Sequence, residues 1–295
     1  KIVEEVAKIE VEEVKPFFDL SLAQWSFHRH VFGGGDPYEF AGKAKALGFS
    51  GLEYVSGLYK DIKDAGYSDE AMANFVAKSN AEAKKHGMKN LLIMIDGQGN
   101  LATADANERQ KAVENHHKWV KAAAAMGCHA IRVNLAGSKE EKEWIASSVD
   151  GLKQLGAFGK ENNINIIVEN HGGLSSNGAL LAKVMSEVNM DNVGTLPDFG
   201  NFCIKRTKTG CDDMYDIYKG VKELMPFAKA ISAKSYVFDA DGNEKNIDYT
   251  KMLQIVKDAG YTGFIGVEFE GSEISEDEGI ALTRDLLVRA SKDLK

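Results

Sequence analysis

Short apolar runs alternate with longer amphipathic stretches along almost the whole chain, and this alternation limits the available folds more than any other feature. Eight runs read as strands, over residues 17–27, 51–55, 90–95, 130–134, 164–170, 193–199, 230–236 and 263–269. Between and after them, apolar residues recur at helical spacing over 36–47, 69–86, 104–126, 139–162, 177–188, 213–229, 248–259 and 275–294. Asn, Asp or Ser stands at most helix starts, and Gly48, Gly87, Gly127 and Gly260 stand at helix ends. The order helix, glycine, buried strand recurs as KALGFSGLEY, KKHGMKNLLI, AAMGCHAIRV and KDAGYTGFIG. Strict β-α alternation implies a parallel sheet. Eight units within 295 residues fit a closed (β/α)8 barrel better than an open doubly wound sheet.

This predicts an α/β chain with one barrel domain over residues 17–295. Residues 1–16, which include KIVEEVAKIEVEEVK, read as a charged N-terminal extension that packs on the barrel or on a partner. No GxGxxG motif opens a helix, and the triple glycine at 33–35 lacks the Lys-Ser/Thr that a phosphate loop requires. A net charge of −8 disfavours nucleic acid as a partner. No apolar run is long enough to span a bilayer, so no membrane partner is expected. Cys128, Cys203 and Cys211 have no CxxC spacing, and their odd number argues against a disulfide framework. They read as ordinary small apolar residues. The chain starts at Lys1. Loss of a signal segment would mean export, and otherwise a cytoplasmic protein is expected.

Barrel active sites lie where the strands end, and here the strand ends are acidic. Glu53, Asp96, Glu169, Asp198, Glu268 and Glu270 all fall at or near them. Side chains two apart share a strand face, which pairs Glu169 with His171, Arg132 with Asn134, Ser232 with Lys234, and Glu268 with Glu270. Carboxylates converging in one mouth cannot all ionise without a counter-charge. One divalent metal ion would supply it: Mn²⁺ or Mg²⁺ for an oxygen site, Zn²⁺ or Co²⁺ if imidazole joins. Such an ion suits proton transfer beside a carbonyl, through a stabilised enediolate.

The segments INIIVEN, GTLPDFGNF, AISAK and DAGYTGFIGVEFEG resemble the last four barrel strands of the xylose-isomerase-like superfamily. That group includes ketose 3-epimerases, hydroxypyruvate isomerases, inosose dehydratases and the abasic-site endonuclease fold. SLAQWSFHR and KAVENHHKWV…GCHAIRVN resemble a bacterial branch described as sugar phosphate isomerase/epimerase. The resemblance runs from residue 17 to the end. It implies metal ligands at Glu169, Asp198 and Glu268, with Glu169 and Glu268 as the catalytic acid-base pair. The fourth ligand of the pattern, a histidine, is replaced by Ser232. Water, or His171, would then complete the ligand set.

His171, Asn201, Lys234, Arg132 and Trp25 are the candidate substrate contacts. Each has a plainer reading. Lys234 and Arg132 with Asn134 serve equally as structural neutralisers, and Trp25 as a core aromatic. Glu270 reads as lying outside the immediate metal environment. His28 and His30 are expected on one face at the mouth, His116 and His117 as outer-surface or packing residues of a helix, and His129 at the opposite end of the barrel. The implied substrate is a small sugar or keto-polyol, and an unphosphorylated one in the absence of a legible phosphate cradle. The alternatives are a lyase or dehydratase using the same site, and a non-catalytic sugar-binding barrel. The sequence leaves homo-oligomerisation open.

Overall fold

A computed structural model describes residues 15–295, so the expected extension lies almost wholly outside the described residues. Eight parallel strands form the barrel: β1 (Asp19–Ala23), β2 (Gly51–Val55), β3 (Lys89–Met94), β4 (Ala130–Val133), β5 (Asn165–Glu169), β6 (Val193–Leu196), β9 (Ile231–Ser235) and β10 (Phe264–Phe269). Their order is β6-β5-β4-β3-β2-β1-β10-β9. The remaining seam, between β6 and β9, closes through parallel bridges at Thr195–Ala228 and Asp198–Ser232. The fold is a (β/α)8 barrel, as the alternation predicts.

The long helices form where the apolar periodicity puts them, and their ends are chemically marked. α4 (Asp69–His86) starts on Ser68, whose side chain caps Ala71 N–H, and ends on left-handed Gly87. α5 (Ala106–Met126) starts on Asp105, capping Asn107 and Glu108, and ends on left-handed Gly127. Each satisfies backbone groups that a helix end otherwise leaves bare. α6 (Glu141–Glu161), α7 (Gly178–Val188), α9 (Tyr249–Asp258) and α10 (Glu276–Ser291) complete the long outer ring, and the short α2 (Phe40–Ala46) and α3 (Lys60–Asp64) precede α4. Trp119, Trp144, Phe75 and Phe199 are fully buried, Trp119 and Phe75 edge to face. Burying each such side chain contributes on the order of 2–3 kcal/mol.

Three segments depart from the sequence reading. The first apolar run stops being a strand at Ala23 and turns into a 3-10 helix (Gln24–Phe27), then α1 (His28–Phe32). Trp25 therefore sits on a helical turn, and His28 and His30, two apart on a helix, do not share a face. The sixth strand ends at Leu196, leaving Asp198 on the loop. The helix expected from residue 213 begins only at Ile217, as α8 (Ile217–Leu224).

The residues before α8 form a hairpin of β7 (Cys203–Thr207) and β8 (Gly210–Met214), turning at Gly210 with φ +146°. Met214 carries the helical apolar pattern one turn too early, and cross-strand pairing with Cys203 claims it. That pairing also brings Cys203 and Cys211 into a disulfide, with Cα atoms 5.8 Å apart. The expectation of three ordinary cysteines is thus corrected. Only Cys128, buried, remains a free thiol. Spacing alone hid the bond because the hairpin, not the count, brings the sulfurs together. Alkylation of unreduced, unfolded protein should modify one cysteine, and alkylation after reduction three. Intact mass reads the difference, and three adducts without reductant would rule the disulfide out.

Candidate active site in the barrel mouth

The inward positions of β5, β9 and β10, with the loop after β6, place the acidic cluster. Glu169, Asp198 and Glu268 each present an oxygen within 4.8 Å of the others, and all three are buried. Arg132 on β4 and Lys234 on β9 enter the same space, 4% and 1% exposed.

The contacts form one network. Lys234 Nζ lies 2.7 Å from Glu268 Oε1, 3.2 Å from Glu270 Oε2 and 3.7 Å from Asp198 Oδ2. Arg132 donates to Asp96 Oδ1 at 2.9 Å, and Asn134 donates to the same oxygen. Arg132 Nε also stands 2.9 Å from Glu169 Oε2, but the approach is not aligned as a hydrogen bond, and that oxygen has no hydrogen-bond partner. Glu169 Oε1 accepts from Asn201 at 2.9 Å. Ser232 Oγ is 2.7 Å from Asp198 Oδ2 and 3.0 Å from Glu268 Oε2. A hydroxyl has one proton to donate. It can donate to only one of these two oxygens at a time, and Lys234 stands beside both carboxylates.

Charge balance sets the protonation. Burial pushes the Glu169 and Asp198 carboxyls well above their usual range, opposed by Arg132 for Glu169 and by Lys234 for Asp198. Burial works to lower the Lys234 ammonium, but Glu268, Asp198 and Glu270 overcome it and hold it well above its ordinary value. Asp96, by contrast, is held low: Arg132, both by charge and by hydrogen bond, outweighs its burial.

Asp198 is positioned by a residue that the sequence reading passed over. Asn170, fully buried, accepts from Asp198 N–H and donates to Asp198 C=O and Asn201 C=O. Asp198 Oδ1 in turn caps Gly200 and Asn201 N–H, both at 2.8 Å. Asn170 alternates to the face opposite Glu169, so strand periodicity gave no reason to weigh it. Glycine is required at 200 because a Cβ there would stand 2.9 Å from the Tyr236 ring and 3.0 Å from Lys234.

Trp25 lies at the mouth, half-buried, and donates from Nε1 to Glu270 Oε1 at 2.8 Å. His28 stacks on it at 4.8 Å, and the exposed Phe32 meets it edge to face. His30 lies beside Glu39 instead. Glu270 contacts Lys234 directly, which ties it to the cluster. His171 is exposed at the rim and contributes no atom to the triad. His116 is buried against Ala112 C=O, and His117 stacks on Phe158.

Glu53 lies inside β2, one layer below the cluster, and not beyond the strand end. Ser21 donates to its Oε1 at 2.6 Å, while Oε2 has no partner. Gly266 makes the room: a Cβ there would sit 2.4 Å from the carboxylate. A cavity of about 690 Å³ at the N-terminal end of the barrel, lined by His129, Lys229 and Tyr261, reaches Glu53 from below.

A family model described as a xylose isomerase-like TIM barrel matches residues 41–289. No curated protein matches significantly. Among solved structures, the IolI protein with a bound zinc atom superposes with a TM-score of 0.68 at 14% identity, covering 94% of this chain and 99% of that one. A xylose isomerase-like TIM barrel protein from Mycobacterium smegmatis in complex with magnesium gives 0.65 at 16% identity, covering 92% and 96%. D-psicose 3-epimerase from Clostridium cellulolyticum, with D-tagatose, gives 0.63 at 14% identity, covering 86% and 93%. At these identities the likeness is one of fold.

Burial pushes Glu53 from an ordinary 4.5 up to about 8. The folded chain therefore holds a proton there that the unfolded chain releases, and stability falls as pH rises from about 4.5 through about 8. Glu53→Gln should raise the thermal midpoint relative to wild type at pH 8.5 and leave it nearly unchanged at pH 4.5. An equal shift at both values would show that charge is not the cause. Lys234→Met removes the cation shared by three carboxylates and should destabilise the metal-free protein by about 3–5 kcal/mol at neutral pH. Denaturant titration should show that loss shrinking as the carboxylates protonate in acid.

Proposed function

The chain belongs to the xylose isomerase-like TIM barrel family, and from that premise we propose that it is a divalent-metal-dependent sugar isomerase or epimerase. The observation that carries this reading is the meeting of three buried carboxylates within 4.8 Å, one with an oxygen that has no hydrogen-bond partner, at the C-terminal mouth of the barrel. The zinc and magnesium complexes among the similar folds, and the epimerase with its ketose, support it.

Glu169, Asp198 and Glu268 would hold the ion, with Ser232 beside them. All four offer oxygen and none imidazole, a donor set that favours Mg²⁺ or Mn²⁺ over Zn²⁺ or Co²⁺. Bound there, such an ion would polarise a hydroxy-carbonyl and stabilise the enediolate formed next to it.

The chain's own groups account for the proton movements. One of Glu169 and Glu268, ionised, takes the proton α to the carbonyl, and the other, protonated, returns one. A carboxyl raised by burial toward neutrality, as Glu169 is, is suited to both directions of transfer near pH 7. Lys234 keeps Glu270 ionised, and Arg132 does the same for Asp96. Asn201, held by the Asp198 loop and bonded to Glu169, is placed to meet a substrate hydroxyl. Trp25, stacked with His28 and flanked by Phe32, forms the apolar wall against which a sugar ring packs. We place the catalytic barrel over residues 17–295.

The disulfide at Cys203–Cys211 supports an exported location, where thiols are oxidised. Among the described residues no helix is long and apolar enough to cross a membrane.

Protein purified without chelator should contain about one Mg or Mn per chain by elemental analysis, and Glu169→Gln and Asp198→Asn should each remove it. Incubation with ketoses in deuterated water should incorporate solvent deuterium without loss of water. Loss of water would establish a dehydratase. Failure to take up metal after soaking with Mn²⁺ would overturn the metalloenzyme reading.

A further inference from the structure

Beside the carboxylate cluster lies a separate cavity of about 740 Å³, walled by the loops after β4 and β5 and by the β7-β8 hairpin. We propose that it receives an anionic group of the substrate, a carboxylate or phosphate, so that the enzyme acts on an acidic sugar and not a neutral one. This rests on the reading of the cluster as a sugar site and names its substrate class.

Position is the first argument. His171 lines the cavity, and it stands two residues beyond Glu169 at the end of the same strand. A molecule whose reacting carbon sits at Glu169 can therefore extend over His171 into the cavity.

Charge is the second. Lys139 from the β4 loop and Lys205 and Arg206 from the hairpin line the space, and among the described residues no aspartate or glutamate does. The chain carries a net charge of −8, so a wall of this sign runs against the whole. Lys139 and Arg206 have no ion-pair partner among the described residues, while Lys205, largely exposed, has Asp212 at 3.7 Å. Three exposed cations lining one cavity attract an incoming anion, and an arginine offers it a paired donor fork.

Build is the third. Trp144, Leu174 and Ile204 add apolar surface to the lining, which suits the carbon skeleton of a ligand with a charged end. The two hairpin cations sit between Cys203 and Cys211, within the disulfide-closed loop. A covalently closed hairpin spends less conformational entropy on capturing a ligand than an open loop.

The test is calorimetric titration with D-glucuronate, D-glucose 6-phosphate and D-glucose at fixed ionic strength, on wild type and on a Lys205→Gln/Arg206→Gln double variant. The acidic sugars should bind wild type at least about tenfold more tightly than glucose, and that advantage should fall to about twofold or less in the double variant, with its disulfide and thermal midpoint unchanged. The preferred acid identifies the group as carboxylate or phosphate. Equal affinity for all three, no binding of either acid at millimolar concentration, or an advantage that survives in the double variant would overturn the proposal. Titration needs no turnover, so a failure of the isomerase reading would leave this result distinct.

Discussion

Inside this barrel, two cations stand against a surplus of carboxylates, and the arrangement of the mouth follows from that imbalance. Lys234 reaches Glu268, Glu270 and Asp198, and Arg132 reaches Asp96 and Glu169. In a space walled by strands, such charges interact far more strongly than at a surface. Each acid is also costly to leave ionised and unpaired. Asp96, which takes an aligned hydrogen bond from Arg132 and another from Asn134, stays ionised. Glu169 and Asp198, wholly buried, are driven toward holding protons. Such a group of buried acids could hold a divalent cation.

The same interactions complete the fold. The barrel's last seam is sparse in backbone pairing, and one of its two bridges joins Asp198 to Ser232, the pair linked side chain to side chain at the centre of the cluster. Ser232 thus holds the seam where the related pattern places a metal-binding histidine. Asn170 secures the other flank of Asp198 through its backbone. Closure of the barrel and placement of the acidic cluster are one set of hydrogen bonds, so a change at either will be felt at both.

The loops divide the remaining work. On one side of the mouth, the turn after β1 brings Trp25, His28 and Phe32 together as an aromatic wall. On another, the hairpin between β6 and α8 carries Lys205 and Arg206 to the rim, held by its disulfide. Rigid strands hold the charged cluster, and the loops carry the aromatic and basic side chains around it. One layer below the cluster Glu53 is buried without an ion-pair partner, and its burial outweighs the hydrogen bond from Ser21 and the charge of Arg132.

By itself the sequence determined the alternation of strands and helices, the closed parallel barrel, and the identity of the acids at the strand ends. These follow from local periodicity and capping, which each segment carries in its own residues. Periodicity of two also set Glu169, Lys234 and Glu268 on inward faces. It could not show which cation pairs with which acid, because Arg132 and Lys234 reach across strands whose spacing only the closed barrel defines. Nor could it show Asn170, which acts from the face that alternation discards, or that Glu53 sits below the cluster, where Gly266 across the strand makes room. The disulfide and the hairpin were illegible for the same reason. The apolar pattern up to Met214 fits a helix as well as a strand, and only the pairing of Cys203 with Met214 across the turn decides between them. What a residue can do locally is written in the chain, and what it meets is decided by closure.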